Sequence, residues 1–350
     1  MTVLTIPAQP GPDTARPPVP WRRMAWVTWR QHRLTLISVP GLLGALAGYL
    51  LIAGLRSHRA HAALIACHPA GSLACGRMGA EFSSTYWAQA DIVLILLNLA
   101  PALIGAFAGA PVLARELETG TYRYAWTQGF GRERWTIAKL ALLAVTVTAA
   151  AGALSQVFAW FFQPFLSQED LNVLAATVFD TRGIAFAAWT LAAFAIGALA
   201  GMLIRRIVPA MAVTLGVYAG LAAAARGFLR AHYLPAVVTS NPSFSFSTAP
   251  GTGTSPWVLS TWFTGPGGRP ASQAAVDRLL RAYQPGGRSA QGFPANGLAR
   301  VLAQHGYTEW TRYIPVSRFW PMQFIEAGWL LVLSVLLIAV TVWLVRRRAA

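Results

Sequence analysis

Six apolar runs dominate the chain, at 34–54, 92–114, 137–162, 183–204, 207–225 and 324–345. Each is long enough for a helix to cross a bilayer, which takes about 20 apolar residues. The fourth and fifth runs are separated only by Arg205-Arg206, so they read as a helical hairpin. The sixth stops at Arg346-Arg347-Arg348. The pattern predicts an all-α polytopic membrane protein with six transmembrane helices. It divides the chain into a Pro-rich tail at 1–20, read as disordered, and an interfacial amphipathic helix at 21–33. Spans one to five cover 34–225, broken by a charged loop at 114–136. A long segment at 226–323 precedes the last span and basic tail at 324–350.

Composition strengthens this reading. Charged residues make up 11% of the chain and apolar ones 55%, with a mean hydropathy of +0.47. A soluble domain would carry about 25% charged residues. The net charge of +16 suggests a nucleic-acid partner until its placement is followed. An even number of spans puts both termini on one side. That side collects Arg16, Arg22, Arg23, Arg30 and Arg33, then Arg115, Arg123, Arg132, Arg134 and Lys139, then Arg205, Arg206 and Arg346 to Arg348. The two shorter loops opposite carry only Arg56, Arg59, Arg77 and Arg182. Basic residues favour the cytoplasmic side, so both termini are expected in the cytoplasm and the charge sets topology, with no nucleic acid involved. Trp21, Trp26 and Trp29 alternate with arginines in the first segment, a pattern suited to lipid headgroups.

The opposite side holds Cys67 and Cys75, the only two cysteines. A close external pair favours a disulfide. The nearby His58, His61 and His68 match no standard zinc spacing, and no metal site is expected. The loop at 163–182 is short and acidic, with Glu169, Asp170 and Asp180. The segment 226–323 is rich in Pro, Ser, Thr and Gly as far as Pro256. Beyond that it offers two short amphipathic helices, one presenting Val276, Leu279, Leu280 and Tyr283, the other Leu298, Val301 and Leu302. Together these make an extracytoplasmic loop or cap.

Inside the spans the sequence places almost no ionisable group. Asp91 and Glu326 lie at span ends, and Asn98 and Gln156 are merely polar. Ion-coupled carriers normally hold acids or His within the bilayer, so this distribution argues against one. Glu326, three residues into the sixth run, is the single candidate functional carboxylate; an acid reaching for headgroup water is the alternative. Gly44/Gly48, Gly105/Gly109, Gly197/Gly201 and Gly216/Gly220 each fit the small-residue spacing of close helix contacts, within the chain or between copies. The motifs G-x-x-x-x-G-K-[ST], H-E-x-x-H and G-x-S-x-G are all missing. No catalytic residue is assigned, the chain is not expected to be an enzyme, and any ATP and Mg would be bound by a partner.

The charged loop gives a more specific clue. "LARELETGTYRYAWTQGFGRERWTIAKL", 113–140, resembles the cytoplasmic loop of ABC transporter permeases of the type-2 exporter class. The family pattern is an acid at the end of the second span, a Gly-Thr pair, a turn, an Arg, and a Lys entering the third span. Here those elements fall on Glu116 and Glu118, Gly120-Thr121, Gly129 to Gly131, Arg132 or Arg134, and Lys139. Where many members have a Pro before the turn's Arg, this chain reads "TQGFGR". "MAWVTWRQHR" before the first span and "PVSRFWPMQFIEAGWLL" at the last resemble the corresponding segments of such permeases.

The resemblance implies a membrane permease subunit without its own ATP-binding motif, paired with a cytoplasmic ABC ATPase and with a second permease copy, a homodimer being expected. Its setting would be the bacterial cytoplasmic membrane. The coupling loop would comprise Arg115, Glu116, Glu118, Gly120, Thr121, Tyr122, Trp126, Arg132, Arg134 and Lys139. Glu116 and Glu118 would meet basic groups of the ATPase, and Tyr122 and Trp126, four apart, would anchor on it. Apolar spans suit an amphiphilic or hydrophobic cargo moved out of the cell. A membrane-anchored sensor or immunity factor is the alternative, and an ion-coupled secondary transporter the third reading.

Overall fold

The computed structural model describes residues 21–69, 71–120, 132–167, 172–240, 256–282 and 302–348. It is mostly helical, with six helices long and apolar enough to cross a membrane. Lipid offers backbone groups no hydrogen-bond partner, so long apolar stretches satisfy themselves as helices.

The helices overrun the apolar runs that predict them. Helix α1 covers Trp21–Ile65, so the interfacial segment at 21–33 and the first run form one rod. Helix α2 covers Leu73–Ile104 and passes through a π turn, Gly105–Gly109, into α3, Pro111–Thr119. Low hydropathy does not end a helix; it only marks where the rod leaves the lipid. Turn chemistry ends it. At the far tip of α1 and α2, Cys67 and Cys75 form a disulfide with Cα atoms 5.7 Å apart. Ser72 caps α2 by accepting from the Cys75 amide at 3.2 Å.

The charged loop is shorter than 114–136. Its first residues are the end of α3, which closes on Gly120 in the left-handed conformation (φ 70°), the backbone state glycine supplies at helix ends. Helix α4, Arg132–Phe161, begins before 136. Thr121, Tyr122 and Trp126 lie outside the described residues. Helix α5, Ala185–Ile204, and α6, Ile207–Ala224, make the predicted hairpin. The fifth span does not stop at 225: it continues through a π turn, Ala225–Leu229, and a 3-10 turn, Arg230–His232. Arg226 and Arg230 therefore belong to the span and not to the loop.

The segment before the last span holds more than helices. Strands β1 (Val237–Ser240), β2 (Trp257–Thr264), β3 (Pro270–Ala271) and β4 (Thr308–Ile314) form an antiparallel sheet in the order β1-β4-β2-β3. Val237 pairs with Tyr313, Trp257 with Ile314 and Phe263 with Ala271. Helix α7, Gln273–Ala282, matches the first predicted amphipathic helix and buries Val276. Of the second, only the buried Leu302 is among the described residues. The chain then enters α8, Phe319–Arg348.

Helix α5 is the central post. In its most apolar window 72% of residues are buried, against 22% for α1, α6 and α8. Two of its glycines explain how it sits so close to its neighbours. A methyl group at Gly197 would run into the Gly105 carbonyl, and one at Gly201 into the Ala110 carbonyl. Two of the four glycine pairs thus face each other across α5 and the π turn. Gly44, Gly48, Gly216 and Gly220 have open space where a Cβ would stand.

Candidate functional site

Polar side chains gather at the two ends of the helices, called here the loop end and the sheet end. At the loop end, α3 is stopped by Gly120 and α4 starts at Arg132, so Glu116 and Lys139 face each other across the charged loop. Lys139 Nζ donates to Glu116 Oε1 at 2.6 Å and to the Val112 carbonyl at 2.5 Å. Its side chain is fully buried and stacks over the Trp135 ring at 4.8 Å. A buried ammonium persists only where its charge and its hydrogen bonds are met, so this lysine pins α4 to α3. Two residues on, Glu118 Oε2 accepts from the Ile207 amide at 3.1 Å. A carboxylate there satisfies a free N–H of the first turn of α6 and complements the helix dipole. Arg205, in the left-handed region (φ 60°), turns the chain from α5 into α6.

This clasp adds contacts within the chain to the roles read from sequence. Glu116 and Glu118 are expected to face a partner's basic groups; within the chain, Glu116 is bonded to Lys139 and Glu118 to the start of α6. Arg115, Arg134, Arg205 and Arg206 are exposed around them. Arg132 opens α4, and Gly120 supplies the turn into the loop.

At the sheet end the sequence reading needs a larger correction, because ionisable groups do lie buried among the helices. Arg230 is 1% exposed and Glu326 is 0% exposed. Arg230 Nε donates to Glu326 Oε2 at 2.7 Å and Nη2 to Oε1 at 2.5 Å, a forked pair. The same guanidinium donates to Asp180 and lies over the Phe179 ring at 4.6 Å. Asp180 also accepts from Arg226 Nε at 2.7 Å, and Arg226 Nη2 donates to Asn98 Oδ1 at 2.8 Å. Trp189 of α5 donates its indole N–H to Glu326 at 2.7 Å.

A second, neutral tie lies beside this network. Gln323 accepts from the Ala185 amide at 2.8 Å and donates to the Phe179 carbonyl at 2.9 Å. Two acids meet two arginines, so the cluster carries no net charge. Glu326 is thus neither alone nor exposed.

Asp180, Arg226 and Arg230 escape the sequence reading because each sits just outside an apolar run, where a charged residue looks like the start of a loop. One signal was present. Arg226 and Arg230 are four apart directly after the fifth run, the spacing of one helix face. What the cluster does mechanically is clear from its members: it locks α2, α5, the extension of α6, and α8 to the segment around Asp180.

The family described as ABC-2 membrane transporter related matches residues 40–230. That stretch runs from within α1 to Arg230, so it contains the whole loop-end clasp and every ionic member of the sheet-end cluster except Glu326. No curated protein and no solved structure matches the chain.

Proposed function

Since this chain belongs to the ABC-2 membrane transporter related family, we propose that it is the membrane subunit of an ATP-driven bacterial exporter, moving an amphiphilic or hydrophobic substrate outward. Family and helices together make it a multi-pass membrane transport permease, and such permeases work with an ATP-binding subunit. In the proposed arrangement the loop end and both termini face the cytoplasm, while the disulfide and the sheet face outward. A cytoplasmic ABC ATPase binds ATP and Mg and docks at the loop end, and two permease copies complete the transporter.

The observation that carries this reading is the buried Lys139–Glu116 pair. It joins the two helices that flank the charged loop, so a force applied to the loop moves both as one body. With Glu116 and Glu118 engaged internally, the exposed Arg115, Arg134, Arg205 and Arg206 offer a basic face to the ATPase. An acidic docking surface on that subunit fits it.

The test is reconstitution with the ABC ATPase subunit that binds this chain. Vesicles holding both proteins should move a fluorescent amphiphile only when ATP is hydrolysed. Arg115→Glu with Arg134→Glu should weaken ATPase binding by about tenfold or more, since reversed charges at a docking rim repel. Undiminished binding and flux in that variant would overturn the docking assignment. The buried carboxylates Asp180 and Glu326 give the ion-coupled reading one supporting observation, since acids at membrane depth often mark ion pathways. Both are held by arginine, however, and a coupling acid must release its proton. Export that survives a blocked ATPase but collapses with the proton gradient would favour that second reading.

A further inference from the structure

Near the sheet end, α2 and Arg226 frame an open groove of about 440 Å³ that the ion cluster does not use. Its polar groups are Asp91, Asn98, Thr177 and Arg226, and its walls include Ile95 and Leu99. Asp91 and Asn98 are seven residues apart, two turns of α2, so they share a face with Cα atoms about 10 Å apart. Asn98 is hydrogen-bonded to Arg226 and so marks its depth. Asp91 directly precedes the apolar run at 92–114, which puts it at the boundary between lipid and water, with Arg226 two turns deeper. One turn in from Asp91 stands Ile95, 60% exposed, and beyond Arg226 follow Leu99 and Leu103, 52% and 46% exposed. Passing inward from the boundary, the wall therefore reads carboxylate, the single apolar side chain of Ile95, guanidinium, then hydrocarbon.

Neither charged group is fully used. Asp91 makes no ion pair or hydrogen bond among the described residues. Arg226 gives Nε to Asp180 and Nη2 to Asn98, which leaves Nη1 without a partner there. Its side chain is 33% exposed, where that of Arg230 is 1% exposed. A ligand that completes this wall needs a cation outermost, an anion beneath it and acyl chains below. The cation must also carry N–H donors, because a carboxylate binds an ammonium through charge-assisted hydrogen bonds. A quaternary ammonium has none and is normally held by aromatic rings, and no aromatic residue among the described residues lines this groove.

We propose that the groove between α2 and Arg226 binds one phospholipid of the surrounding bilayer whose headgroup is zwitterionic and ends in a primary amine. The amine rests on Asp91, the phosphate on Arg226 Nη1, and the acyl chains along Leu99 and Leu103. Binding here requires no transport and stands apart from the exporter reading.

The test is native mass spectrometry of the full chain in mild detergent, offered equal amounts of phospholipids with matched acyl chains and ethanolamine, choline or glycerol headgroups. The wild type should retain the ethanolamine lipid about tenfold over the choline lipid, the difference made by charge-assisted hydrogen bonds to the amine. Asp91→Asn, at an exposed position, should leave thermal stability unchanged and bring the two to equal retention. Leu99→Trp, which fills the groove without touching its charges, should lower retention of the ethanolamine lipid by about tenfold. Equal retention by the wild type would overturn the proposal. So would a preference that survives Asp91→Asn, or ethanolamine retention undiminished in Leu99→Trp.

Discussion

Glu326 shows how a single residue changes meaning between sequence and structure. In the sequence it is one acid in an apolar run, so either a functional group or an interfacial one. Folded, it is the counter-ion of a guanidinium that water does not reach. Removing one member of a buried pair leaves the other charge uncompensated, which typically costs about 3–5 kcal/mol. Glu326→Gln should therefore lower the thermal midpoint of the detergent-solubilised chain markedly. Glu326→Leu combined with Arg230→Met should lose far less than the two single changes summed, because the pair then leaves together. Strict additivity in that cycle would show that the two side chains are not energetically joined. Sequence could single out Glu326 because an acid is conspicuous among apolar neighbours. It could not supply the partner, since Arg230 and Asp180 lie 96 and 146 positions away and each sits beside a run, not inside one.

Helices were legible from run length and strands were not, for a physical reason. A membrane helix satisfies its own backbone and needs only a long apolar stretch. Strand β4 pairs with β1, some 70 residues earlier, and its alternation "TEWTRYI" is too short to separate from loop. The four glycine pairs share one spacing, yet the fold distinguishes them. Gly201→Ala should destabilise by about 1–3 kcal/mol, the usual cost of overpacking, because its methyl meets the Ala110 carbonyl. Gly216→Ala, which meets nothing, should leave the thermal midpoint unchanged; equal effects would mean the close approach of α5 to the π turn is not limiting. The sheet carries a pH dependence of its own. Glu309 of β4 is 9% exposed, and burial pushes its carboxyl up from 4.5 to about 7. The folded state thus prefers the protonated acid. Its stabilising effect is complete below pH 4.5 and is lost as pH rises to about 7. Thermal unfolding across that range should show the sheet weakening with rising pH, and Glu309→Gln should flatten the profile.

At the scale of the whole molecule, two clasps and one post define what can move. The loop-end clasp ties α3 to α4 and to the start of α6; the sheet-end cluster ties α2, α5, the far end of α6, and α8. Two rods run from one clasp to the other, α2 with α3 and the extended α6, and each contains a π turn, at Gly105–Gly109 and at Ala225–Leu229. A helix that carries a π turn has a natural place to bend, whereas α5 between them is regular and the most buried of the spans. In the proposed mechanism a displacement of the charged loop reaches the sheet end along the two rods. Lys139 is where α4 would join that motion, through its bonds to α3. Lys139→Met removes its bonds to Glu116 and to the Val112 carbonyl while keeping most of its bulk, so α4 should no longer follow α3. With the ABC ATPase present, hydrolysis should continue while ATP-dependent flux falls about tenfold, within the range of ordinary coupling free energies. Lys139→Arg, which keeps charge and donors, should recover part of the flux. The comparison of flux with hydrolysis is what separates coupling from stability. A merely unstable variant would lose both in proportion, and that proportional loss would reduce the Lys139–Glu116 pair to a structural tie.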